Sequence, residues 1–376
     1  MKFVVSSADM LSHLQAISRV ISSKNTLPIL DNFLFRLENR ELVITASDLE
    51  STMTTKMPIE NSEGEGAVAV PARLLTDTLK EIADQPLTFE ISTEKFSVVI
   101  TSESGKFTIV GYNGEDFPHY PVLKDDLKTS VKISAETLLR GISKTLFATA
   151  EDELRPVMNG IFLEFAEDNM TFVASDAHKL VRYKRYDVRS AEESSFIFPK
   201  KPATLLKNIL PREEKDVIIE FDDKNAFFTL SNYRLICRLV EGNYPSYNSV
   251  IPTDNPRKLI VDRLTLLNKL RLVSVYSSQS SHLIKLELGP NSLNVSAQDL
   301  DFSISGFEKI SCQYEGEPME IGFKSTFLIE ILNNLSSPEV IMELSDPSRA
   351  AILHPVEKDT EEEDVLMLIM PMMINV

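Results

Sequence analysis

Hydrophobic and polar residues alternate along three stretches of the chain that repeat one another, residues 33–50, 161–178 and 284–301. In each stretch apolar side chains occupy every second position, a short turn follows, and a second alternating run ends in the motif Ala-x-Asp. A period of two is typical of half-buried β-strands, and the turn between the runs makes each stretch a predicted hairpin. The alanines of the motif are 128 and 123 residues apart, so the repeated unit is a whole domain.

A helical pattern stands on either side of each hairpin. The pattern before the hairpin covers residues 8–21, 134–147 and 262–272. The pattern after it opens 24 residues past the alanine in all three copies, and a base stands three residues further on; these positions are Val70, Phe198 and Ile321, then Arg73, Lys201 and Lys324. The sequence therefore predicts an α+β protein of three repeated domains, each with two helices packed on antiparallel sheets, over residues 1–125, 126–254 and 255–376.

Length and composition agree with three globular domains. Of the 376 residues, 43% are hydrophobic and 25% are charged, and three cores are more readily filled than one of the whole length. The two cysteines, Cys237 and Cys312, lie in different repeats without metal-ligand spacing. The first residues turn polar too early for a secretory signal, and the last apolar run, residues 365–376, is too short to span a bilayer. We expect a cytoplasmic protein without a disulfide scaffold, a metal or a cofactor.

Charge is unevenly distributed between the predicted elements. The formal net charge of −17 by itself disfavours binding to nucleic acid. The six helical windows nevertheless carry +6 in total, so the remaining residues carry −23. This difference favours helices that face a polyanion and strands and loops that repel it, although lysines also collect on the helix faces of proteins that bind no nucleic acid.

The strongest candidate for catalysis is the pair Asp176 and His178. The aspartate recurs as Asp48 and Asp299, whereas the histidine has no counterpart in the other two copies. A residue present in every copy is expected to be structural, and an aspartate after a strand commonly accepts backbone N–H groups in a tight turn. We therefore predict that the protein is not an enzyme. A hydrolase that uses Asp176 and His178, and a monomeric peptide-binding scaffold that never meets DNA, are the alternatives.

Short motifs stand in a fixed order along the chain: MKF (1–3), TLPIL (26–30), SDLE (47–50), VPAR (70–73), DFP (116–118), NGIFLEF (159–165), SDAHKL (175–180), LVEGNYPSY (239–247), MEIGF (319–323) and MPM (370–372). Over essentially the whole chain these motifs resemble the bacterial DNA polymerase sliding clamp, the beta subunit of the replicative polymerase. The resemblance implies a head-to-tail homodimer whose six domains form a ring around duplex DNA, with helices inside and sheets outside. Such a clamp tethers the replicative polymerase for processivity.

The resemblance assigns contacts with DNA phosphates to five bases, which are Lys24, Arg73, Lys80, Lys201 and, in an adjacent loop, Arg155. A protein that slides is expected to contact the phosphates of double-stranded DNA without reading its bases. The loop 151–157 departs from the family pattern, because Pro156 and Val157 stand where some members carry two tyrosines.

The resemblance also implies a groove for short linear motifs of the polymerase catalytic subunit, the clamp loader, translesion polymerases and mismatch-repair proteins. The expected lining is Met158, Ser175, Ala177, His178, Lys179, Leu180, Pro245, Ser249, Val250, Ser348, Leu368, Met370, Pro371, Met372 and Met373. Methionines and aliphatic side chains suit an adaptable apolar surface. Ser249 and Met373 stand where well-known members carry an arginine, and Asn375 and Val376 extend the chain past the usual end.

Ring closure is expected to join the edge of the first domain to the edge of the third. The resemblance places the dimer interface at Leu74, Phe107 and Ile109 against Val275 and Tyr276, flanked by Lys106, Asp299 and Asp301.

Overall fold

The computed structural model describes residues 1–59, 61–123 and 129–374. The chain divides into two compact units, one made of Met1–Leu139 and Lys201–Leu239, the other of Arg140–Lys200 and Val240–Val376. The predicted boundary between residues 125 and 126, and the extension formed by Asn375 and Val376, lie outside the described residues. The three domain ranges stay predictions. No helix in the described part of the chain is long and apolar enough to cross a membrane.

Helices and strands follow the same order three times. The first repeat contains β1 (Lys2–Ser6), α1 (Ser7–Ser18), β2 (Asn32–Glu38), β3 (Glu41–Ser47), β4 (Ser51–Pro58), β5 (Ser62–Glu63), β6 (Gly66–Pro71), α2 (Ala72–Lys80), β7 (Pro86–Ser92), β8 (Ser97–Thr101), β9 (Lys106–Val110) and β10 (Tyr112–Asn113). The second contains β11 (Thr129–Ser134), α3 (Ala135–Thr145), β12 (Gly160–Phe165), β13 (Met170–Ser175), β14 (Lys179–Arg185), β15 (Ser194–Pro199), α4 (Lys200–Ile209), β16 (Asp216–Phe221), β17 (Asn225–Thr229) and β18 (Tyr233–Arg238). The third contains β19 (Arg257–Asp262), α5 (Arg263–Ser274), β20 (Leu283–Gly289), β21 (Ser292–Asp299), β22 (Ile304–Ser311), β23 (Gln313–Glu315), β24 (Met319–Lys324), α6 (Ser325–Asn334), β25 (Glu339–Leu344), β26 (Ala351–Pro355) and β27 (Glu363–Ile369).

The first unit holds two antiparallel sheets. One has five strands in the order β5-β1-β7-β8-β9, and the other has nine in the order β10-β6-β2-β3-β4-β18-β17-β16-β11. The nine-stranded sheet crosses from the first repeat to the second where β4 pairs with β18, and Met53 lies opposite Leu235 in that ladder. Backbone hydrogen bonds therefore run without a break from one repeat into the next.

The second unit holds two further antiparallel sheets. One has nine strands in the order β15-β12-β13-β14-β27-β26-β25-β19-β23, and the other has four in the order β22-β21-β20-β24. Here the second repeat joins the third where β14 pairs with β27, and Val181 lies opposite Met367. At both joins, the third strand after the first helix of one repeat pairs with the last strand of the next repeat.

The predicted hairpins and helices form the apolar interior of each unit. Phe3 and Phe89 are fully buried in the first unit, with ring centroids 5.0 Å apart. The helices bury one face each, as an apolar stripe of period 3.6 requires: α1 buries Met10, Leu14 and Ile17, and α5 in the second unit buries Leu266, Leu270 and Val273. The predicted α+β class, with two helices per repeat packed on antiparallel sheets, is confirmed.

The alignment of the third copy is wrong by two residues after its hairpin. Phe33 pairs with Val70 and Ile161 pairs with Phe198, but their counterpart Ile284 pairs with Phe323, not with Ile321. Alternate residues of a strand point to the same face, so a shift of two leaves the apolar pattern unchanged and the sequence does not reveal it. Lys324 consequently ends β24, and Thr326 stands where the other copies carry Arg73 and Lys201.

Gly141 on α3 lets the helix approach the hairpin of the second repeat. A Cβ atom there would lie 2.4–2.6 Å from three ring atoms of Phe172, which is fully buried. We expect Gly141→Ala to lower the free energy of unfolding by about 1–3 kcal/mol, although alanine is otherwise the better helix former. Urea unfolding measures the loss, and the same substitution should cost less in a Phe172→Leu background. Equal costs in both backgrounds would show that the ring is not the obstacle.

Candidate nucleic-acid and peptide interfaces

The aspartate that closes each hairpin holds the following turn. One carboxylate oxygen accepts two backbone N–H groups in every copy: Asp48 from Glu50 and Ser51 at 3.1 and 2.6 Å, Asp176 from His178 and Lys179 at 2.9 and 2.8 Å, and Asp299 from Asp301 and Phe302 at 3.0 and 3.3 Å. Leu49 and Ala177 adopt positive φ angles of 77° and 74° inside two of these turns. The predicted structural role of the repeated aspartate is confirmed.

The Asp176–His178 pair has no catalytic arrangement. The second carboxylate oxygen of Asp176 accepts the ammonium group of Lys179 at 2.6 Å. The His178 ring instead stacks on Phe327, with centroids 5.8 Å apart. The carboxylate therefore does not orient the imidazole as a general base would require. Among the described residues, no group of three or more His, Cys, Asp or Glu side chains is placed to hold a metal ion.

The predicted DNA-binding bases differ in whether an acidic side chain neutralises their charge. Lys24 is exposed, and the Arg73 side chain is 97% exposed, with its guanidinium 3.8 Å from Asp77. Asp77 also binds Lys80 at 2.9 Å. Arg155 binds Asp152 at 2.8 Å, and the next residue before it, Leu154, is 91% exposed in the loop that lacks the tyrosines.

Lys201 has two protein partners in the first unit. Its ammonium group donates to the carbonyl oxygen of Val20 at 2.8 Å and to the carboxylate of Asp48. Two other exposed bases of this unit, Arg19 after α1 and Lys207 on α4, form no ion pair with any residue that the structure describes. Neither residue is among the bases predicted from the sequence, although each is a basic residue on the polar side of a predicted helix.

An apolar cluster lies on the second unit where the second repeat joins the third. Its buried members are Val173, Leu180, Tyr247, Ala350, Ile352, Leu366 and Leu368, with Phe162, Tyr244 and Ile251 packed against them. Leu180 and Leu368 are opposite each other in the β14–β27 ladder. The rings of Phe162 and Tyr244 stack at 4.8 Å. The β14–β27 pairing thus brings together two of the predicted groove residues that are far apart in sequence.

The segment 244–251 crosses this cluster and carries three more predicted groove residues. Pro245, Ser249 and Val250 are exposed, Val250 by 58%. Tyr247 anchors the segment, because its hydroxyl donates to the Glu164 carboxylate. Burial raises the pKa of the Tyr247 phenol. Ser348 is also exposed, and its hydroxyl donates to Asp346.

Lys179 does not line the groove. Successive residues of a strand face opposite sides, so Lys179 points away from the apolar cluster that Leu180 joins. Its side chain is 5% exposed and its ammonium binds Asp176 at 2.6 Å and Glu330 at 3.1 Å, 4.3 Å above the Phe327 ring. Met158 and Ser175 are buried too.

The groove residues that the sequence did not reveal are mainly aromatic. The apolar cluster contains Phe162, Tyr244 and Tyr247, together with Val173 and Ile352, none of which was predicted from the sequence. Phe162 carried a signal, because it is apolar at a strand position where the alternation of its neighbours Ile161 and Leu163 requires the opposite face.

The chain after β27 runs from the apolar cluster to β24. The Met370 N–H donates to the His178 carbonyl and the Met372 N–H donates to the Gly322 carbonyl, both at 2.8 Å. Met370 is 41% and Met373 81% exposed, whereas Pro371 and Met372 are half-buried. The predicted groove methionines thus belong to a segment anchored at both ends by backbone hydrogen bonds.

Two sheets expose apolar edge strands. On β9 Phe107 is 39% and Val110 72% exposed, and on or beside β22 Phe302, Ile304 and Phe307 are 73%, 39% and 62% exposed. Of the predicted interface residues, Leu74, Lys106, Val275, Tyr276 and Asp301 are exposed as well. Ile109 and Asp299 are 4% exposed, because one packs into its own sheet and the other holds its turn. Val110, Phe302, Ile304 and Phe307 were missed.

Comparison with known proteins gives the family. Three family models match in succession: the DNA polymerase III beta subunit N-terminal domain over residues 1–121, the central domain over 132–246 and the C-terminal domain over 248–373. The chain is 27% identical to the beta sliding clamp of Pseudomonas aeruginosa, over 99% of this chain and 100% of that protein.

Solved structures agree. The crystal structure of a DnaN sliding clamp from Pseudomonas aeruginosa bound to griselimycin superposes with a TM-score of 0.93 at 26% identity, and that from Bartonella birtlesii bound to griselimycin with 0.92 at 29% identity. Each match covers 100% of both chains.

The fold and its joins between repeats define a clamp built of three homologous domains. The chain belongs to the DNA polymerase III beta subunit family, the sliding clamps of DNA replication, which are not enzymes. The family inferred from the sequence motifs is confirmed.

Gly322 leaves room for the segment that follows β27. A Cβ atom there would lie 2.7 Å from the Met372 carbonyl oxygen and 3.0 Å from the Ile374 side chain. We expect Gly322→Ala to detach this segment and to speed amide hydrogen exchange at Met372, whose N–H would lose its acceptor. Gly289→Ala is the control in the same sheet, because its Cβ would meet nothing closer than 3.6 Å. Unchanged amide exchange at Met372 in Gly322→Ala would show that the segment after β27 does not depend on the space at Gly322.

Proposed function

We propose that this chain forms a head-to-tail homodimer that encircles duplex DNA and tethers the replicative polymerase. The observation that carries the proposal is the pair of incomplete sheets, one of five strands ending at β9 and one of four ending at β22. Joined edge to edge between two copies they make a nine-stranded sheet, as at the two joins inside the chain. Exposed apolar edges are an aggregation hazard unless they are paired. A head-to-tail contact repeated twice closes the assembly.

The joins inside the chain also supply the register for this pairing. In each repeat, the residue four positions before the first helix begins a row of residues that lie directly opposite one another on successive strands. The three rows are Phe3-Phe89-Ile100-Phe107, Val131-Ile219-Phe228-Leu235 and Leu259-Met342-Leu353-Met367. Phe107 is therefore the counterpart of Leu235 and Met367. The residues opposite those two, Met53 and Val181, stand five after their turn aspartates. The corresponding residue is Ile304, so Phe107 of one copy should face Ile304 of the other.

Other exposed side chains extend this contact. Leu74, Val275 and Tyr276 supply apolar area, and Lys106 and Asp301 supply opposite charges at its rim. Tyr276 already packs on β22, since a Cβ atom on Gly306 would lie 2.7 Å from its ring. Ile109 supports the interface from inside rather than forming its surface, and Asp299 keeps one carboxylate oxygen that its turn does not use.

Contact with DNA is proposed to be electrostatic and independent of sequence. Lys24, Arg73, Lys80 and Arg155 are the candidates from the sequence, and the free charges of Arg19 and Lys207 add to them. Lys201 contributes less, because Asp48 already neutralises it. Phosphate contacts of this kind give weak, salt-dependent binding, and retention then depends on the closed ring. The remaining, acidic surface repels DNA. The cytoplasm, where replication takes place in bacteria, is the proposed location.

Topological retention can be measured directly. We expect the purified protein to sediment at twice 42.3 kDa, and, once a clamp loader has placed it on DNA, to remain far longer on nicked circles than on linear duplex of the same length. The physical reason is that a ring leaves linear DNA by sliding off an end but leaves a circle only by opening. Cutting the circle with a restriction enzyme is the matched control. Equal release from both forms would refute encirclement.

The apolar cluster of the second unit is proposed as the docking groove for peptides of polymerases, the clamp loader and mismatch-repair proteins. Leu180, Leu368 and the aromatic residues form its floor, and Pro245, Val250 and Met370 form exposed walls. Each apolar anchor buried there contributes roughly 1.5–3 kcal/mol. After the cost of ordering a flexible peptide, two or three anchors correspond to dissociation constants on the order of micromolar. Ser249 and Met373 in place of arginines should reduce affinity for acidic motifs.

Competition tests whether one groove serves all partners. A fluorescent peptide from the polymerase catalytic subunit should be displaced by an unlabelled peptide from the clamp loader. Val250→Ser should weaken both peptides several-fold, since it removes apolar area from a wall. Val122→Ser, an exposed valine of the first unit (82%), is the control and should leave both unchanged. Simultaneous binding of both peptides to one subunit would disprove a shared groove.

A further inference from the structure

The turn aspartates at the two joins inside the chain each bind a lysine through their second carboxylate oxygen. In the first unit Asp48 binds Lys201, and in the second Asp176 binds Lys179, which also reaches Glu330 on α6. Each lysine thereby links the turn of one repeat to the next repeat's second helix. Asp299, the aspartate of the third repeat, has no such partner: within the described residues no cation approaches its second oxygen.

The source of the lysine follows a rule of positions. Three residues after the aspartate stand Ser51, Lys179 and Phe302, and the second residue of the following repeat's helix is Lys201 at the first join and Thr326 at the second. At the first join the turn offers Ser51 and the helix supplies the cation, Lys201. At the second join the helix offers Thr326 and the turn supplies the cation, Lys179. At the third repeat the turn offers Phe302, so the cation must come from a helix.

We propose that Arg73 of one copy binds the Asp299 carboxylate of a second copy. This inference rests on the head-to-tail closure proposed above, which places α2 of the second copy where α4 stands at the first join. Arg73 is the second residue of α2, as Lys201 is of α4. Its side chain is 97% exposed, and the carboxylate of Asp77, 3.8 Å away, is shared with Lys80. In the closed ring this ion pair would hold Arg73 at the interface, so we expect Arg73 to contribute less to phosphate contact than its 97% exposure suggests.

The Asp299 carboxylate is the group that this contact would stabilise. Asp299 is 4% exposed, and a carboxylate with this little access to water is stabilised by a nearby cation. One oxygen is occupied by the turn, which leaves the other for a guanidinium N–H. Closure of the dimer would satisfy this carboxylate, so the pair favours the closed ring over the open one.

A double-mutant cycle on the dimerisation constant tests the pair. Arg73→Gln removes the cation, and Asp299→Asn removes the charge while its amide oxygen can still accept the turn N–H groups. Each variant should raise the dimer dissociation constant by roughly 5- to 30-fold, and the double variant should be no weaker than either alone. Sedimentation velocity over a dilution series measures the constants. Lys95→Gln, an exposed lysine of the same unit outside this contact, is the control.

The possible results separate this pair from the dimer itself. Single effects that multiply in the double variant, or no effect from Arg73→Gln, would overturn the pair while leaving the dimer intact. A wild-type protein that stays monomeric would overturn both proposals. If Asp299→Asn fails to fold, the Arg73 series decides: Arg73→Lys, which mimics Lys201, should dimerise nearly as wild type and Arg73→Gln should not, whereas equal behaviour of the two would refute the ion pair.

Discussion

Backbone hydrogen bonding across the joins between repeats is the interaction on which the rest of the structure depends. A strand at the edge of a sheet leaves a row of N–H and C=O groups unpaired. In this chain β4 is paired by β18 and β14 by β27, so two of the three repeats complete their neighbours' sheets. Among the edge strands that remain, β9 and β22 expose large apolar side chains. The same constraint that joins the repeats within one chain therefore calls for a second chain.

The proposed docking groove is a consequence of one of these joins. Leu180 and Leu368 come from different repeats and meet only because β14 and β27 pair in register. The turn that precedes β14 is fixed by Asp176, and the carbonyl of His178 in that turn anchors Met370. The apolar cluster, the polar turn and the segment after β27 thus share one framework, so the proposed groove lies at a join between two repeats.

Charged side chains in this protein serve assembly as much as contact with DNA. The sequence assigned Lys201 to DNA contact and Lys179 to the peptide groove, yet both are held by carboxylates that also hold turns. A cation already neutralised at short range adds little to long-range attraction for a polyanion. The positive charge counted on the helices therefore overstates the charge available to a polyanion, since Lys201 is neutralised while Arg19 and Lys207 are not neutralised by any residue in the described part of the chain.

The sequence by itself determined the repeat, the hairpins, the six helices and the role of the turn aspartates, because period-two alternation and an aspartate after a strand have local physical causes. It did not determine the register of the third copy, since a shift of two residues puts the same faces inward, and so Lys324 was placed on a helix. It also did not show that Lys179 turns away from Leu180, that Asp299 and Ile109 are buried, or that aromatic residues such as Phe162 and Tyr247 pack in the apolar cluster of the second unit. Those features depend on which strands meet across the joins between repeats, a contact between residues far apart in the chain that no local pattern records.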